Sequence, residues 1–261
     1  MEDLRITIIQ SALQWEDREA NLASFEKKIG ALNEDTDLIL LPEMFSTGFT
    51  MNAVALAEEM DGKSVAWMKS MAAGKNTTLC GSLIIKENGN YYNRLVWMRP
   101  DGSCVTYDKR HLFRLAEEQK TYSPGNKKII QEIRGWKILP LICYDLRFPV
   151  WSRRTEAENY DLLIYVANWP DRRIHAWDTL LPARAIENQC YVAGLNRIGN
   201  DGNGIPHSGR SAVYDCMGEP LTLAPAGSAT TITATLSAES LAKCRRMFPF
   251  DKDADAFSIN I

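Results

Sequence analysis

The stretches LRITIIQ at residues 4–10 and DLILL at residues 37–41 decide the fold class of this chain. Between them, residues 21–33 carry apolar side chains at the spacing of one helical face. The second stretch is apolar after its first residue and stops at Pro42, which is typical of a short strand buried on both faces. The order strand, helix, strand predicts an α/β protein whose central strands are covered by helices.

The rest of the chain continues this pattern without a linker or a repeat. Strands are predicted at 77–86, 91–98, 103–108, 136–143, 162–166, 191–196, 211–214 and 230–235, and helices at 65–75, 149–159, 172–188 and 237–246. The turns ENGN and PDG make residues 77–108 a block of hairpins, because Gly and Asn accept positive φ. A TIM barrel, the competing architecture, needs strict alternation of strand and helix. One mixed α/β domain over residues 1–261 is therefore predicted, with a core at about 4–235 and a C-terminal extension at about 236–261.

Composition and charge exclude several classes of protein. The chain has 30 Lys and Arg against 33 Asp and Glu, so it lacks the basic excess that binds nucleic acid or anionic membranes. No apolar run approaches the ~20 residues of a membrane span, and the first ten residues do not resemble a signal peptide. The six cysteines are separated by at least 24 residues, and no Cys/His ligand cluster is present. We therefore expect no metal site, no disulfide and a cytoplasmic location with reduced thiols.

Three reactive or ionisable side chains come directly after predicted strands: Glu43, Lys109 and Cys143. Strand ends are where α/β folds build their sites. Taken singly, a glutamate or lysine is most often a solvated surface residue, and a cysteine ending an apolar strand is most often inert core. Together they suit acyl transfer, which needs a thiol nucleophile, a carboxylate that moves its proton, and an ammonium that stabilises the oxyanion.

At these residues the sequence resembles the nitrilase superfamily of carbon–nitrogen hydrolases. The family's Glu-Lys-Cys triad is matched by LPEMF at Glu43, YDKRHLF at Lys109 and CYDLRFP at Cys143, at separations of 66 and 34 residues. Further similarity runs through YSPG at 122–125, ANWP at 167–170 and RAIENQCYV at 184–192. The resemblance covers nearly the whole chain. It implies a four-layer α-β-β-α sandwich, a homodimer, and catalysis without a metal or an organic cofactor.

The resemblance also implies a second glutamate in the loop after the lysine. Glu118 is the best match, and its neighbour Glu117 is the alternative. DKRHLF and CYDLRFPVWSR are similar to the omega-amidase branch of the superfamily. That branch implies hydrolysis of the terminal amide of a short 2-oxo dicarboxylic acid, such as 2-oxoglutaramate, through a thioester on Cys143. The oxyanion would be held by Lys109 and the backbone N–H of Tyr144.

An anionic substrate requires a cation in the pocket, and three arginines lie close to the motifs. Arg147 follows the cysteine, and Arg172 and Arg173 follow ANWP. On sequence, Arg172 and Arg173 are more often solvated residues at a helix start, and a structural pairing with an acid explains Arg147 equally well. Aromatic side chains beside the motifs are candidates for the pocket walls against a default of core packing, namely Phe45, Tyr144 and Trp169.

Other interpretations stay open at this point. The same triad serves nitriles, N-carbamoyl amines or deaminated peptide amides, because specificity lies in the pocket. A cysteine–histidine hydrolase would use His111 or His175, although Lys109 makes His111 a poorer base. A non-catalytic binding protein on the same fold is a third interpretation, and a redox-sensing thiol at Cys143 is a fourth.

Overall fold

Two six-stranded sheets lie at the centre of the computed structural model, which describes residues 1–259. The strands are β1 (Leu4–Gln10), β2 (Leu38–Leu40), β3 (Thr78–Glu87), β4 (Asn90–Met98), β5 (Cys104–Asp108), β6 (Gln131–Ile133), β7 (Trp136–Ile142), β8 (Leu162–Ala167), β9 (Tyr191–Asn196), β10 (Ile198–Asn200), β11 (Pro206–Ser208), β12 (Ala212–Tyr214), β13 (Pro220–Leu223) and β14 (Thr230–Leu236). The first sheet has the order β14-β1-β2-β3-β4-β5 and the second the order β13-β12-β9-β8-β7-β6. A separate hairpin pairs β10 with β11.

Helices cover the outer faces of the sheets and complete the four layers. They are α1 (Arg18–Gly30), α2 (Ala53–Leu56), α3 (Lys63–Lys75), α4 (Glu118–Thr121), α5 (Pro149–Ser152), α6 (Ile174–Asn188) and α7 (Ala238–Met247). The N-terminus of α1 is fixed by its cap, where the Asp17 carboxylate accepts a hydrogen bond of 3.0 Å from the backbone N–H of Ala20. The predicted α/β class and the layered sandwich are confirmed.

The strand β2 shows why the first apolar stretch has no alternation. Leu38 and Leu40 point into the core between the sheets, whereas Ile39 and Leu41 pack outward in a second core with Phe25 of α1. Both faces of the strand are therefore removed from water, so every position of the stretch is apolar.

Two expectations from the sequence were wrong. The helix predicted at 149–159 ends at Ser152, because the next residues bind other elements: the backbone N–H of Arg154 donates to Asn188 Oδ1 at 2.8 Å. Cys216 and Cys244 form a disulfide 28 residues apart in sequence, which joins the turn after β12 to α7. Their pairing through the tertiary fold is invisible in the spacing of the cysteines along the chain.

Candidate active site

The two sheets bring the three sequence motifs to one place. Glu43 follows β2 and Lys109 follows β5, so both come from the first sheet, while Cys143 follows β7 of the second sheet. The Lys109 ammonium lies 2.9 Å from Glu43 Oε1. All three side chains are buried and line the same cavity.

The turn that carries Cys143 is sharply bent and closed by Asp145. Cys143 has φ of +43°, in the left-handed region that side chains other than glycine rarely adopt. The buried Asp145 carboxylate accepts hydrogen bonds from the backbone N–H of Ile142 at 3.1 Å and from the Tyr107 hydroxyl at 2.7 Å. It also accepts from the backbone N–H of His111 at 3.1 Å. One carboxylate therefore fixes the cysteine turn relative to the loop that carries the lysine.

The structure distinguishes the two candidates for the second glutamate. Both carboxylate oxygens of Glu118 lie 3.0 Å from Lys109 Nζ, and its Oε2 accepts a hydrogen bond of 2.5 Å from the backbone N–H of Phe113. Glu118 is fully buried, whereas the Glu117 side chain is exposed and pairs with Lys120. Only Glu118 contacts the cluster, so Lys109 is held between two buried carboxylates.

Asn93 of β4 belongs to the same cluster and was missed from the sequence. Its amide nitrogen donates to Glu43 Oε1 at 2.8 Å and to Glu118 Oε1 at 3.3 Å. Its amide oxygen accepts from the Ser82 hydroxyl at 2.8 Å, which fixes the orientation of the amide. Strand β4 reads NYYNRLVWM, so Asn93 lies before the apolar end of the strand and next to Arg94, and no local pattern distinguishes it.

Asn168, in the ANWP segment after β8, holds Glu43 from the second sheet. Its backbone N–H donates to Glu43 Oε2 at 2.8 Å, and its side-chain amide donates to the Glu43 backbone carbonyl at 2.5 Å. Each carboxylate oxygen of Glu43 thus has a donor, and the carboxylate is held from both sheets.

Burial and charge act against each other in this cluster. Burial lowers the pKa of Lys109, but the negative charges of Glu118 and Glu43 outweigh this effect and hold the pKa above its ordinary value. Burial raises the pKa of Glu118 against the attraction of Lys109. Burial, followed by the negative charge of Glu43, raises the pKa of the Cys143 thiol well above its ordinary range. A neutral thiol therefore faces a charged ammonium and carboxylate.

The cavity above this cluster has a volume of about 570 Å³. Tyr144, Trp169, Arg147 and Arg172 line it, as does Arg173. These side chains come from the loops after β7 and β8, at the strand ends where the sequence predicted a site.

Phe45 does not line the cavity, so its assignment to the pocket wall was wrong. It is fully buried in the outer core of the first sheet, where its ring packs edge-on to that of Phe25 at 5.7 Å between centroids. The turn after Glu43 directs the side chain of Phe45 away from the cavity. Its neighbour Met44, at φ of +42°, makes this turn.

Neither histidine proposed for a cysteine–histidine pair lines the cavity. The His111 ring is stacked on Phe148 at 3.7 Å, and its Nδ1 lies 2.8 Å from Asp145 Oδ1. His175 is exposed at the start of α6. Within residues 1–259, no three His, Cys, Asp or Glu side chains are grouped so as to hold a metal ion. No helix in that range is long and apolar enough to cross a membrane.

The arrangement is therefore able to carry out nucleophilic acyl transfer. It supplies a thiol, a carboxylate within a fixed hydrogen-bond network, and a buried ammonium next to the reacting centre. The backbone N–H of Tyr144 follows the thiol in the same turn.

Comparison with known proteins agrees with this chemistry. The family model for carbon-nitrogen hydrolases matches residues 5–246. Omega-amidase YafV of Escherichia coli (strain K12) is 47% identical over 259 residues, covering 99% of this chain and all of that protein. The 2-oxoglutaramate amidase of Bacillus subtilis (strain 168) is 34% identical over 220 residues, covering 83% and 84%. The crystal structure of XC1258 from Xanthomonas campestris, a CN-hydrolase superfamily protein with an arsenic adduct in the active site, covers both chains fully at 42% identity and a TM-score of 0.97.

Proposed function

The chain belongs to the carbon-nitrogen hydrolase family, and we propose that it is an omega-amidase. It hydrolyses the terminal amide of a short 2-oxo dicarboxylic acid monoamide, such as 2-oxoglutaramate, to the dicarboxylate and ammonia. Two relatives that cover most of the chain, omega-amidase YafV and the 2-oxoglutaramate amidase of Bacillus subtilis, carry the names of this activity. The observation that carries the chemistry is the position of Lys109 between Glu43 and Glu118, in the cavity that also contains Cys143.

In the first half of the reaction, Cys143 Sγ attacks the amide carbon. Because the thiol is neutral at rest, its proton must leave as the bond forms, and Glu43 accepts it. The electron pair of the carbonyl moves onto oxygen. The Lys109 ammonium and the backbone N–H of Tyr144 stabilise this oxyanion. Glu43 then gives the proton to the nitrogen, the C–N bond breaks, and ammonia leaves a thioester behind.

In the second half, water attacks the thioester carbon and gives one proton to Glu43. The C–S bond then breaks, the acid product leaves, and Glu43 returns its proton to the sulfur. Glu118 acts through Lys109, whose ammonium it holds at 3.0 Å. The sum is one amide and one water converted to one acid and one ammonia.

The cavity supports an acidic substrate over the alternatives. Three arginines line it, and a cationic wall binds a carboxylate better than it binds a neutral nitrile or a deaminated peptide amide. An N-carbamoyl acid remains the second candidate, because it too carries a carboxylate.

We also propose that the protein is a homodimer that pairs through the face formed by α5, α6 and the end of α7. Val150, Ile186 and Met247 are exposed on these elements, and Phe250 is exposed in the turn that follows α7. The elements form one surface, since Arg153 binds the Glu187 carbonyl and Gln189 binds the Phe248 carbonyl. Isolated apolar residues are common on surfaces, whereas a group on one face is typical of an interface. An Ile186→Glu variant that sediments as a monomer beside a dimeric wild type supports this proposal; an unchanged mass contradicts it.

A cytoplasmic location stays a prediction.

The activity is tested by measuring ammonia release from 2-oxoglutaramate beside an aliphatic nitrile and an N-carbamoyl amine. Cys143→Ala is the inactive control, and Cys104→Ala is the matched control, because Cys104 is an exposed free cysteine. Release from the oxo-amide that is lost in Cys143→Ala alone supports the proposal. Turnover of another substrate with none of the oxo-amide overturns the substrate assignment, and activity in Cys143→Ala overturns the nucleophile.

A further inference from the structure

In the part of the chain that the structure describes, the three cavity arginines have no protein anion as a partner, and they differ in how far they are exposed to water. No described residue forms an ion pair with Arg147, Arg172 or Arg173. Arg172 is exposed, and water screens its charge. Arg147 and Arg173 are partly buried, with their guanidinium groups 4.9 Å from the Trp169 ring and 4.7 Å from the Phe113 ring.

Arg173 is held in place without having its charge satisfied. The Trp169 indole N–H donates to the Arg173 backbone carbonyl at 2.8 Å, which fixes the start of the side chain. Within residues 1–259, its guanidinium donates no hydrogen bond to a protein acceptor, although it has five N–H groups. Burial removes part of the hydration of the guanidinium, and no ion pair offsets this loss of free energy. A ligand carboxylate would supply the missing partner.

The charges around Arg173 point the same way. Burial, and after it the positive charge of Arg172, lowers the pKa of Arg173, and the positive charge of Arg147 acts in the same direction. All three guanidinium groups and the Cys143 thiol line the same cavity. An anion bound there is attracted by all three guanidinium groups.

The carboxylates that also line the cavity are already hydrogen-bonded elsewhere. Glu43 is bound by Lys109, and the Glu16 carboxylate accepts from the Thr50 hydroxyl at 2.6 Å. Asp201 accepts from backbone N–H groups of its own turn. None of them neutralises Arg173, so the site is open to an anion from outside.

We propose that Arg173 binds the carboxylate of the substrate at the end remote from the amide, with Arg147 beside it and Arg172 contributing only long-range attraction. This assignment rests on the proposed function and names the residue that gives it specificity. The guanidinium forms a forked pair with the carboxylate, and the Phe113 ring supports its apolar face. The backbone N–H of Phe113 also binds Glu118, so substrate anchoring and the catalytic cluster share one loop.

The test compares Arg173→Met and Arg173→Lys with Arg172→Met, the matched control one residue away. Each is assayed on 2-oxoglutaramate and on pentanamide, a neutral amide of the same chain length. In Arg173→Met, we expect kcat/KM on the oxo-amide to fall by about 10- to 100-fold, mainly through KM, with little change on pentanamide. Arg173→Lys should recover part of the loss, because it keeps the charge without the fork. Arg172→Met should change less than about 3-fold.

A binding measurement separates failure of this assignment from failure of the proposed function. In the Cys143→Ala background, 2-oxoglutarate should raise the melting temperature, and Arg173→Met should remove this shift while Arg172→Met keeps it. If wild type does not hydrolyse 2-oxoglutaramate but the shift depends on Arg173, the substrate is wrong and the anion site stands. If wild type is active and Arg173→Met changes neither KM nor the shift, the assignment is overturned. A larger loss in Arg172→Met also overturns it.

Discussion

Replacing Lys109 by methionine should make the stability of this protein fall more steeply with rising pH than the stability of the wild type. The change keeps most of the side-chain volume and removes the cation between two fully buried carboxylates, Glu43 and Glu118. Two carboxylates sharing a buried site without a cation cannot both stay ionised, so the pair retains one proton. The remaining hydrogen bonds from Asn93 still hold both carboxyl groups.

The magnitude follows from the proton that the folded variant holds. The unfolded chain releases that proton at a pKa of about 4.3, and each unit above it costs about 1.36 kcal/mol. The penalty is therefore about 3.7 kcal/mol at pH 7 and about 1.6 kcal/mol at pH 5.5. For a chain of 261 residues, these values correspond to a melting temperature lower by about 7 °C and about 3 °C. The pair of carboxyl groups has a higher pKa in the folded variant than in the unfolded chain. The variant therefore keeps its full stability below the unfolded pKa and loses stability as the pH rises.

The assay is thermal unfolding of the variant and wild type across this pH range. Lys86→Met is the matched control, because Lys86 is exposed and forms no ion pair with a described residue. The double variant Lys109→Met/Glu118→Gln lacks one of the two carboxylates. It should therefore regain its stability at pH 7, and its melting temperature should no longer fall between pH 5.5 and pH 7. The reasoning is refuted if Lys109→Met loses the same stability at pH 5.5 as at pH 7, because a lost packing contact has no pH dependence.

Three further predictions address the nucleophile, the turn and the core. The pKa of the Cys143 thiol is raised, so the rate of its alkylation by iodoacetamide should keep increasing with pH up to about pH 9, measured in a Cys104→Ser background. A rate that reaches a plateau near pH 7 would instead show a thiolate at rest. Asp145→Asn removes hydrogen-bond acceptors from the turn that carries the nucleophile. It should lower the free energy of unfolding, measured in urea, by about 2–3 kcal/mol, and it should also lower kcat. Full activity at reduced stability would show that Asp145 has no positioning role. Phe45→Leu should cost about 1–2 kcal/mol of stability and leave KM for 2-oxoglutaramate unchanged, whereas a raised KM would return Phe45 to the substrate pocket.

The sequence by itself determined the fold class and the chemical groups of the candidate site. Apolar runs such as 37–41 must be buried on both faces, and the reactive residues follow such strands. Glu43, Lys109 and Cys143 could therefore be named. Each follows a predicted strand, and a strand is predicted from neighbouring residues without knowledge of distant contacts. The order of the three motifs along nearly the whole chain indicated the family.

Only the tertiary structure decided which side chains face one another. Asn93 lies within β4. Its role depends on the pairing of β4 with β3 and on the turn after β2, which carries Glu43. Glu118 and Glu117 are chemically identical neighbours, and their opposite burial follows from the path of one loop. The partial burial of Arg173 beside the exposed Arg172, the outward position of Phe45 and the Cys216–Cys244 pair have the same cause. Sequence spacing fixes periodicity along one element, whereas burial and charge pairing depend on atoms supplied by distant segments.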